Sequence, residues 1–265
     1  MLHTTARHHP VPLIENPLVI VTADDFGRDA TANECIRHSF AQGLVSHASL
    51  MVNMPGFEAA CSMAYADGFQ SRVGLHFNLT SGEPLTPAMR DVRAFCLNGR
   101  FALPGHCRRL VPLSAGAQRA VADEARAQIR AARARGLALS HLDSHNDIHI
   151  EPNIARIVLA VAREMGIPRV RPSRNCGLNR GIVRRAQHVI YNAWLSRAGL
   201  RGVQFFGTLD DALWLAEQGR LPHGVALEIM THPSRGPNRS VVDAPSTVPL
   251  ADRLQQLKPF VDRRP

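Results

Sequence analysis

Five short stretches of this chain place acids, histidines or an arginine where apolar runs stop. "VTADDFG" sets Asp24 and Asp25 against Val19–Val21, and "VGLHFNLTSGEP" brings His76 out of an apolar strand. "LSHLDSHNDIHIEP" crowds Asp143, His145, Asp147 and His149 ahead of Pro152, "VRPSR" closes on Arg171, and "VALEIMTHP" carries Glu228 and His232. One carboxylate and two imidazoles, with positions left open for water and substrate, suit a catalytic divalent metal such as Zn²⁺, Fe²⁺ or Mn²⁺. A second carboxylate can take a proton from the attacking water. No GxSxG is present and no cysteine stands at these strand ends, so a serine or cysteine nucleophile is not supplied. Blander readings exist for each residue. Asp25 could cap the following turn, His76 could be a core histidine, and His232 before Pro233 could pack a turn. Among His141, His145 and His149 one should be structural, and His141, inside the strand, is the choice. Gly27 should serve the turn of the backbone. His3, His8 and His9 lie in the N-terminal arm, where they could bind stray metal but are expected to have no role, and His38, His47, His106, His188 and His223 are assigned to the surface or to packing.

The elements that must position these residues alternate. Strands are predicted at 18–23, 47–52, 72–77, 138–142, 168–171, 203–206 and 225–230. Helices are predicted at 29–42, 56–66, 115–135, 152–165, 181–198, 209–218 and 247–257. Gly43 as a C-terminal stop, Ser114 as an N-cap and Pro152 in a first turn punctuate them. Seven β-then-α units in succession imply parallel strands with crossover helices. The fold class expected is α/β, a TIM-barrel-like (β/α) barrel of about seven parallel strands with outer helices. In such a barrel the strand ends converge on one face, where barrel enzymes build their sites. Two adjacent acids then need not be stranded in a core, where an unpartnered charge is costly. Successive residues leave a strand in opposite directions, so one acid can grip a metal while its neighbour handles the proton.

A chain of 265 residues, 45% of them hydrophobic, can bury a large core, and no internal repeat or linker divides it. We expect one domain over 17–265, preceded by a flexible arm at 1–16. A long Pro- and Gly-rich loop at about 80–113 should line or cover the site. No run reaches the roughly 18 apolar residues of a membrane helix. The N-terminus lacks the apolar segment of a secretory signal. Five cysteines without a CxxC pair argue for a reducing compartment, so cytoplasmic location is expected. The net charge of +9 is almost wholly arginine, Lys258 being the single lysine. The arginines are scattered at helical spacing with no nucleic-acid signature, so no nucleic-acid partner is expected. A weak contact with an anionic surface and a homodimer remain compatible with this composition.

"TADDFG", "VGLHFNLTSGEPL", "HLDSHNDIH" and "EIMTHP" resemble the four signatures of the YdjC-like carbohydrate deacetylases, in the right order from about residue 18 to 235. That group includes the chitooligosaccharide deacetylases and the hopanoid-biosynthesis deacetylases. The resemblance implies a polysaccharide-deacetylase-like barrel, one divalent metal ion (Mg²⁺ or Zn²⁺), and hydrolysis of an N-acetyl group on an amino sugar. It implies Asp25, His76 and His145 as metal ligands and Asp24 as general base. By similarity to the wider polysaccharide deacetylases, Arg171 would hold Asp24 and His232 would act as acid. Asp143, His149, Asn78 and Asp147 would stand around the substrate or behind the ligands. One departure is clear: the family's three alternating histidines are here His145-Asn-Asp-Ile-His149, with Asp147 in the middle. Rival classes are another single-metal barrel hydrolase (an amidohydrolase or phosphoesterase) and a non-catalytic sugar-binding relative.

Overall fold

Apolar runs and amphipathic stretches alternate through the chain, and the elements they form follow that order. The computed structural model describes residues 12–102, 112–177 and 182–262. In chain order its elements are β1 (Val19–Phe26), α1 (Ala30–Ala41), β2 (His47–Leu50), α2 (Phe57–Ala66) and β3 (Val73–Phe77). Then come α3 (Pro87–Arg90), β4 (Cys96–Leu97), β5 (Arg100–Phe101), α4 (Ala115–Ala134), β6 (Leu142–Ser144) and α5 (Pro152–Glu164). The last are α6 (Ile182–Arg197), β7 (Phe205–Thr208), α7 (Leu209–Glu217), β8 (Leu227–Thr231), β9 (Pro233–Arg235), β10 (Val241–Asp243) and α8 (Leu250–Val261). Three of the described helices, α1, α4 and α7, begin where a side chain satisfies their first N–H groups. Asp29 Oδ1 accepts from the Ala32 N–H at 2.8 Å and Ser114 Oγ from the Ala117 N–H at 3.2 Å. Thr208 and Asp211 cap α7 reciprocally.

Six strands form one parallel sheet in the order β6-β3-β2-β1-β8-β7. The sheet is curled into a half-barrel: Arg171 touches both Asp143 on β6 and the ring of Phe206 on β7, strands at its opposite edges. The expected seventh strand at 168–171 contributes only two isolated parallel bridges, Val170 with Leu142 and Arg169 with Arg201. Pro168 and Pro172 flank it, and neither has the N–H needed to extend a ladder. The strand expected at 138–142 lies further on, at 142–144, so Asp143 is inside it, paired in register with His76. Among the described residues no helix is long and apolar enough to cross a membrane.

Two expectations about loops change. Residues 13–16 of the expected arm are fastened: the Leu13 N–H donates to the Gly43 carbonyl at 2.9 Å. The Asn16 amide donates to the Val261 carbonyl at 2.6 Å. The arm histidines, His106 and residues 103–111 of the long loop lie outside the described residues. The rest of that loop carries α3 and the β4–β5 hairpin. It is stapled by two polar residues on the buried face of α4. Glu124 accepts from the Leu85 and Thr86 N–H groups at 2.9 Å each. Gln128 exchanges bonds of 3.0 and 2.7 Å with the Asn78 backbone.

Candidate active site

The end of β1 departs from a regular strand. Ala23 pairs with Ala48 and Phe26 with Leu50, so β1 holds one residue more than β2 over this interval. That bulge is taken up at Asp25, whose φ of 70° lies in the left-handed region, tolerated by aspartate better than by most residues. Simple alternation therefore does not divide the two acids between opposite faces. The bulge re-aims Asp25, and both carboxylates meet the same histidine: each forms a cluster with His76 whose potential ligand atoms lie within 4.8 Å. Gly27 completes the turn at φ 86°, and a Cβ there would stand 2.7 Å from the Met51 carbonyl oxygen.

Arg171 holds the centre. It is almost fully buried and reaches three carboxylates. Nη1 and Nη2 donate to the two oxygens of Asp24 at 2.7 and 2.8 Å. Nη2 also pairs with Asp143 Oδ2 at 2.6 Å, and Nε donates to Glu228 Oε1 at 2.9 Å. Thr22 Oγ1 donates to the same Glu228 oxygen at 3.1 Å. Burial raises the Asp24 carboxyl above the ordinary aspartate value against the pull of Arg171, helped by the neighbouring charge of Asp143. Burial works the same way on Asp143, but Arg171 and His76 overcome it and hold that carboxyl well below its usual range.

Beside this cluster stand Asp25, His76 and His145. Asp25 Oδ1 lies 2.9 Å from His145 Nδ1 and 3.3 Å from His76 Nε2, and Arg28 donates to Asp25 Oδ2 at 2.7 Å. Burial opposes ionisation of Asp25, yet the neighbouring imidazoles of His145 and His76 carry its carboxyl far below normal. His76 Nδ1 faces Asp143 Oδ1 at 2.8 Å. Burial alone would push the His76 imidazole down, but the charges of Asp143 and Asp24 lift it to about 10.

Do these residues fit a divalent cation? Two trios have ligand atoms within 4.8 Å of one another: Asp25, His76 and His145, and Asp24, His76 and Asp143. Arg171 occupies both oxygens of Asp24, and Arg171 and His76 occupy those of Asp143, so the second trio is spent on internal bonds. The first trio fits. His76 Nε2 is buried with no hydrogen-bond partner and aims at Asp25. Its other nitrogen is fixed by a carboxylate, the usual support for a metal-binding histidine. Charge agrees, because four buried carboxylates (Asp24, Asp25, Asp143, Glu228) face one buried guanidinium.

The other expected residues are placed as follows. His232 directly follows Thr231, which pairs with Ala23, so it stands at the level of the two acids. Its N–H donates to Asp243 Oδ1 at 2.7 Å. His149 sits behind Arg171, its Nε2 donating to the Arg171 carbonyl at 3.2 Å and its Nδ1 2.5 Å from Ser144 Oγ. Burial pushes its imidazole down to about 4. Asn78 is buried and engaged in its own turn: Oδ1 accepts from the N–H groups of Thr80 and Ser81, and Nδ2 donates to the Ser81 carbonyl. Asn146 and Asp147 both adopt left-handed φ values, 55° and 54°, which accounts for these two residue types inside the histidine motif. Glu228, noted at sequence level without a role, proves to be an Arg171 partner. Ser49, to which the sequence assigned no role, donates to Asp143 Oδ2 at 2.5 Å.

The family model described as YdjC-like protein matches residues 18–263. A carbohydrate deacetylase of Geobacillus stearothermophilus is 33% identical over 219 residues, 81% of this chain and 78% of the relative. A chitooligosaccharide deacetylase of Proteus mirabilis is 31% identical over 230 residues, 82% of this chain and 81% of the relative. A carbohydrate deacetylase of Brevibacillus brevis is 38% identical, but that match spans only 57% of either chain. A solved structure, of a putative cellobiose-phosphate cleavage protein from Enterococcus faecalis, superposes with a TM-score of 0.68 at 21% identity. It covers 91% of this chain and 92% of its own, a likeness of fold.

Proposed function

The chain belongs to the YdjC-like family, and from that membership and the site's geometry we propose that it is a metal-dependent carbohydrate N-deacetylase. Its substrate would be an N-acetylglucosamine-containing saccharide or glycoconjugate, cleaved to free amine and acetate. The observation that carries the reading is the pairing of two neighbouring acids with different partners. Asp25 meets two imidazoles, whereas Asp24 is gripped through both oxygens by Arg171. We read the half-barrel as a (β/α) barrel in which the 168–171 segment takes the place of the seventh strand.

A divalent cation, Zn²⁺ or Mg²⁺, held by Asp25, His76 and His145 would supply Lewis acidity, polarising the acetamide carbonyl and easing deprotonation of water. Asp24 takes a proton from the attacking water, for which its raised affinity for protons suits it. Arg171 fixes both of its oxygens, leaving the outer lone pairs to accept the proton. The water oxygen forms a bond to the carbonyl carbon. The C–N bond then breaks as His232 protonates the amine, because an amide nitrogen leaves poorly without a proton. The 80–102 segment, stapled by Glu124 and Gln128, borders the groove for the sugar.

The test is acetate release from N-acetylglucosamine oligomers with added Zn²⁺ or Mg²⁺. Asp24→Asn should keep cation binding and lose about 10²- to 10⁴-fold in turnover. An Asp24→Asn variant with wild-type turnover would refute the assignment of the base.

A further inference from the structure

Behind the catalytic carboxylates a chain of polar groups runs from Ser140 to His76, and its first three members, Ser140, His141 and Ser49, have no part in the deacetylase reading. Ser140 Oγ lies 2.9 Å from His141 Nδ1, His141 Nε2 lies 3.0 Å from Ser49 Oγ, and Ser49 Oγ lies 2.5 Å from Asp143 Oδ2. Asp143 Oδ1 then meets His76 Nδ1 at 2.8 Å. Ser49, His141, Asp143 and His76 are all buried.

The direction of every bond follows from counting protons. Asp143 is ionised, since Arg171 and His76 both lie against it, so it only accepts. Ser49 has one hydroxyl hydrogen and must give it to Asp143. Its remaining contact, to His141, has to be one in which it accepts. His141 therefore carries its proton on Nε2. Burial pushes its imidazole down to about 4, so at neutral pH there is no second proton, and Nδ1 must accept from Ser140. Ser49 and His141 each have one donor and one acceptor role in this chain, and neither can reverse without leaving a buried polar atom unpaired.

The seat for this chain is built into the sheet. Ser49 is on β2 and His141 leads into β6, with β3 lying between those strands. Their side chains meet across β3 at Gly74, the residue in register with Ser49. A Cβ on Gly74 would overlap the His141 ring. The glycine of "VGLHF" thus opens the passage through which two non-adjacent strands connect.

We propose that Ser49 and His141 are positioning residues, a directed relay across Gly74 that orients Asp143 and through it the His76 imidazole for cation binding. The proposal rests on the metal site described above, and not on which substrate the enzyme takes. Asp143 Oδ2 is shared between Arg171 and Ser49; without the hydroxyl, the carboxylate is free to rotate towards the guanidinium and loosen its hold on His76.

Two measurements test this. In uniformly ¹⁵N-labelled wild-type protein, long-range ¹H–¹⁵N spectra should show His141 as the neutral Nε2–H tautomer from pH 6 to 8. The Nδ1–H tautomer, or a protonated ring, would overturn the relay. Secondly, Co²⁺ serves as a spectroscopic probe. Ser49→Ala and His141→Ala should weaken Co²⁺ binding by about 10- to 100-fold, in line with the loss of partners that support a metal-binding histidine, and shift the visible d–d bands. His141→Gln, whose side-chain amide can donate near the position of Nε2, should stay within about 3-fold of wild type, where a merely space-filling role would not distinguish it from other replacements of similar size. Unchanged Co²⁺ affinity and bands in Ser49→Ala overturn the proposal even if wild type releases acetate. If the Co²⁺ and tautomer results hold but no acetate appears, the substrate reading falls and the relay stands.

Discussion

Replacing Arg171 with methionine is the most severe test of the charge arrangement. The side chain is fully buried, and its loss would leave Asp24, Asp143 and Glu228 without their common cation. Removing one partner of a buried ion pair costs about 3–5 kcal/mol, because a charge is left uncompensated. Three carboxylates share this partner and can take up protons in response, so the three costs do not add; about 3–5 kcal/mol is expected. That is a large share of the roughly 5–15 kcal/mol by which domains are stable. For a chain of this size it corresponds to a melting temperature lower by about 6–20 °C. The pH dependence follows from the signs. In the wild type, Asp143 and Glu228 have lowered folded values, so their stabilisation is present above the ordinary carboxylate range near pH 4 and lost as pH falls below it. Asp24, raised by burial, contributes with the opposite sign. Without Arg171 all three lose the strongest pull against their burial, so keeping them ionised costs more, and that cost grows as pH rises. The gap between wild type and Arg171→Met should therefore widen from pH 5 to pH 8. Thermal melts in EDTA at both values measure it free of cation linkage. A gap below about 3 °C at pH 8, or one that narrows with rising pH, would refute the reasoning, since even 1 kcal/mol is worth 2–4 °C here.

Two further outcomes are expected. His76→Gln should bind Zn²⁺ at least about 10-fold more weakly by calorimetry than the wild type, which should take up one ion per chain, because a ligand and its carboxylate support are lost together. A second tightly bound ion in the wild type would contradict the assignment of the Asp24, His76 and Asp143 trio to internal bonds. Gly27→Ala should destabilise by roughly 1–3 kcal/mol, since its φ of 86° is strained for any L side chain and the new Cβ meets a backbone carbonyl. An unaltered melting temperature would show that the turn after Asp25 can relax.

The strand ends were legible because apolar runs that stop on acids or histidines mark positions where a parallel sheet opens to solvent. Asp24, Asp25, His76, His145 and Arg171 all emerge from that pattern, and the structure brings them together. The bulge at Asp25 was not legible, since an extra residue in a strand changes no composition and reverses the alternation on which pairing arguments depend. Residues 168–171 read as a strand from β-branched Val170 between two arginines, while the prolines on either side limit the ladder to single bridges. On α4, Glu124 and Gln128 look like part of a solvated Ala/Arg/Glu face. Both are buried because the loop after β3 offers them unpaired backbone groups. The connection of Ser49 to His141 needs the order of three strands and the absence of one side chain at Gly74, neither of which can be read from local spacing.

The interrupted pairing at 168–171 bears on how the protein is held together. Between β6 and β7 the sheet is not joined by a continuous ladder: Val170 bridges to Leu142 of β6 and Arg169 to Arg201 ahead of β7, and the Asn175 and Cys176 N–H groups donate to the Phe206 carbonyl of β7. Arg171 leaves this same segment and binds side chains of β1, β6 and β8 while its guanidinium lies 4.9 Å from the centre of the Phe206 ring on β7. An electrostatic hub thus does much of what backbone pairing does in a closed barrel. A buried charge network is usually weak evidence for stability, because desolvation offsets the attraction. Here the guanidinium meets carboxylates through all three of its nitrogens and lies against an aromatic face, so the offset is smallest where the backbone pairing is thinnest. The same side chain thus belongs both to the site and to the contacts between the sheet's edges. Variants that disturb Arg171 should lose fold and function together, whereas a near-isosteric change such as Asp24→Asn or His232→Gln, which leaves Arg171 with its Asp143 and Glu228 partners, can lose function alone.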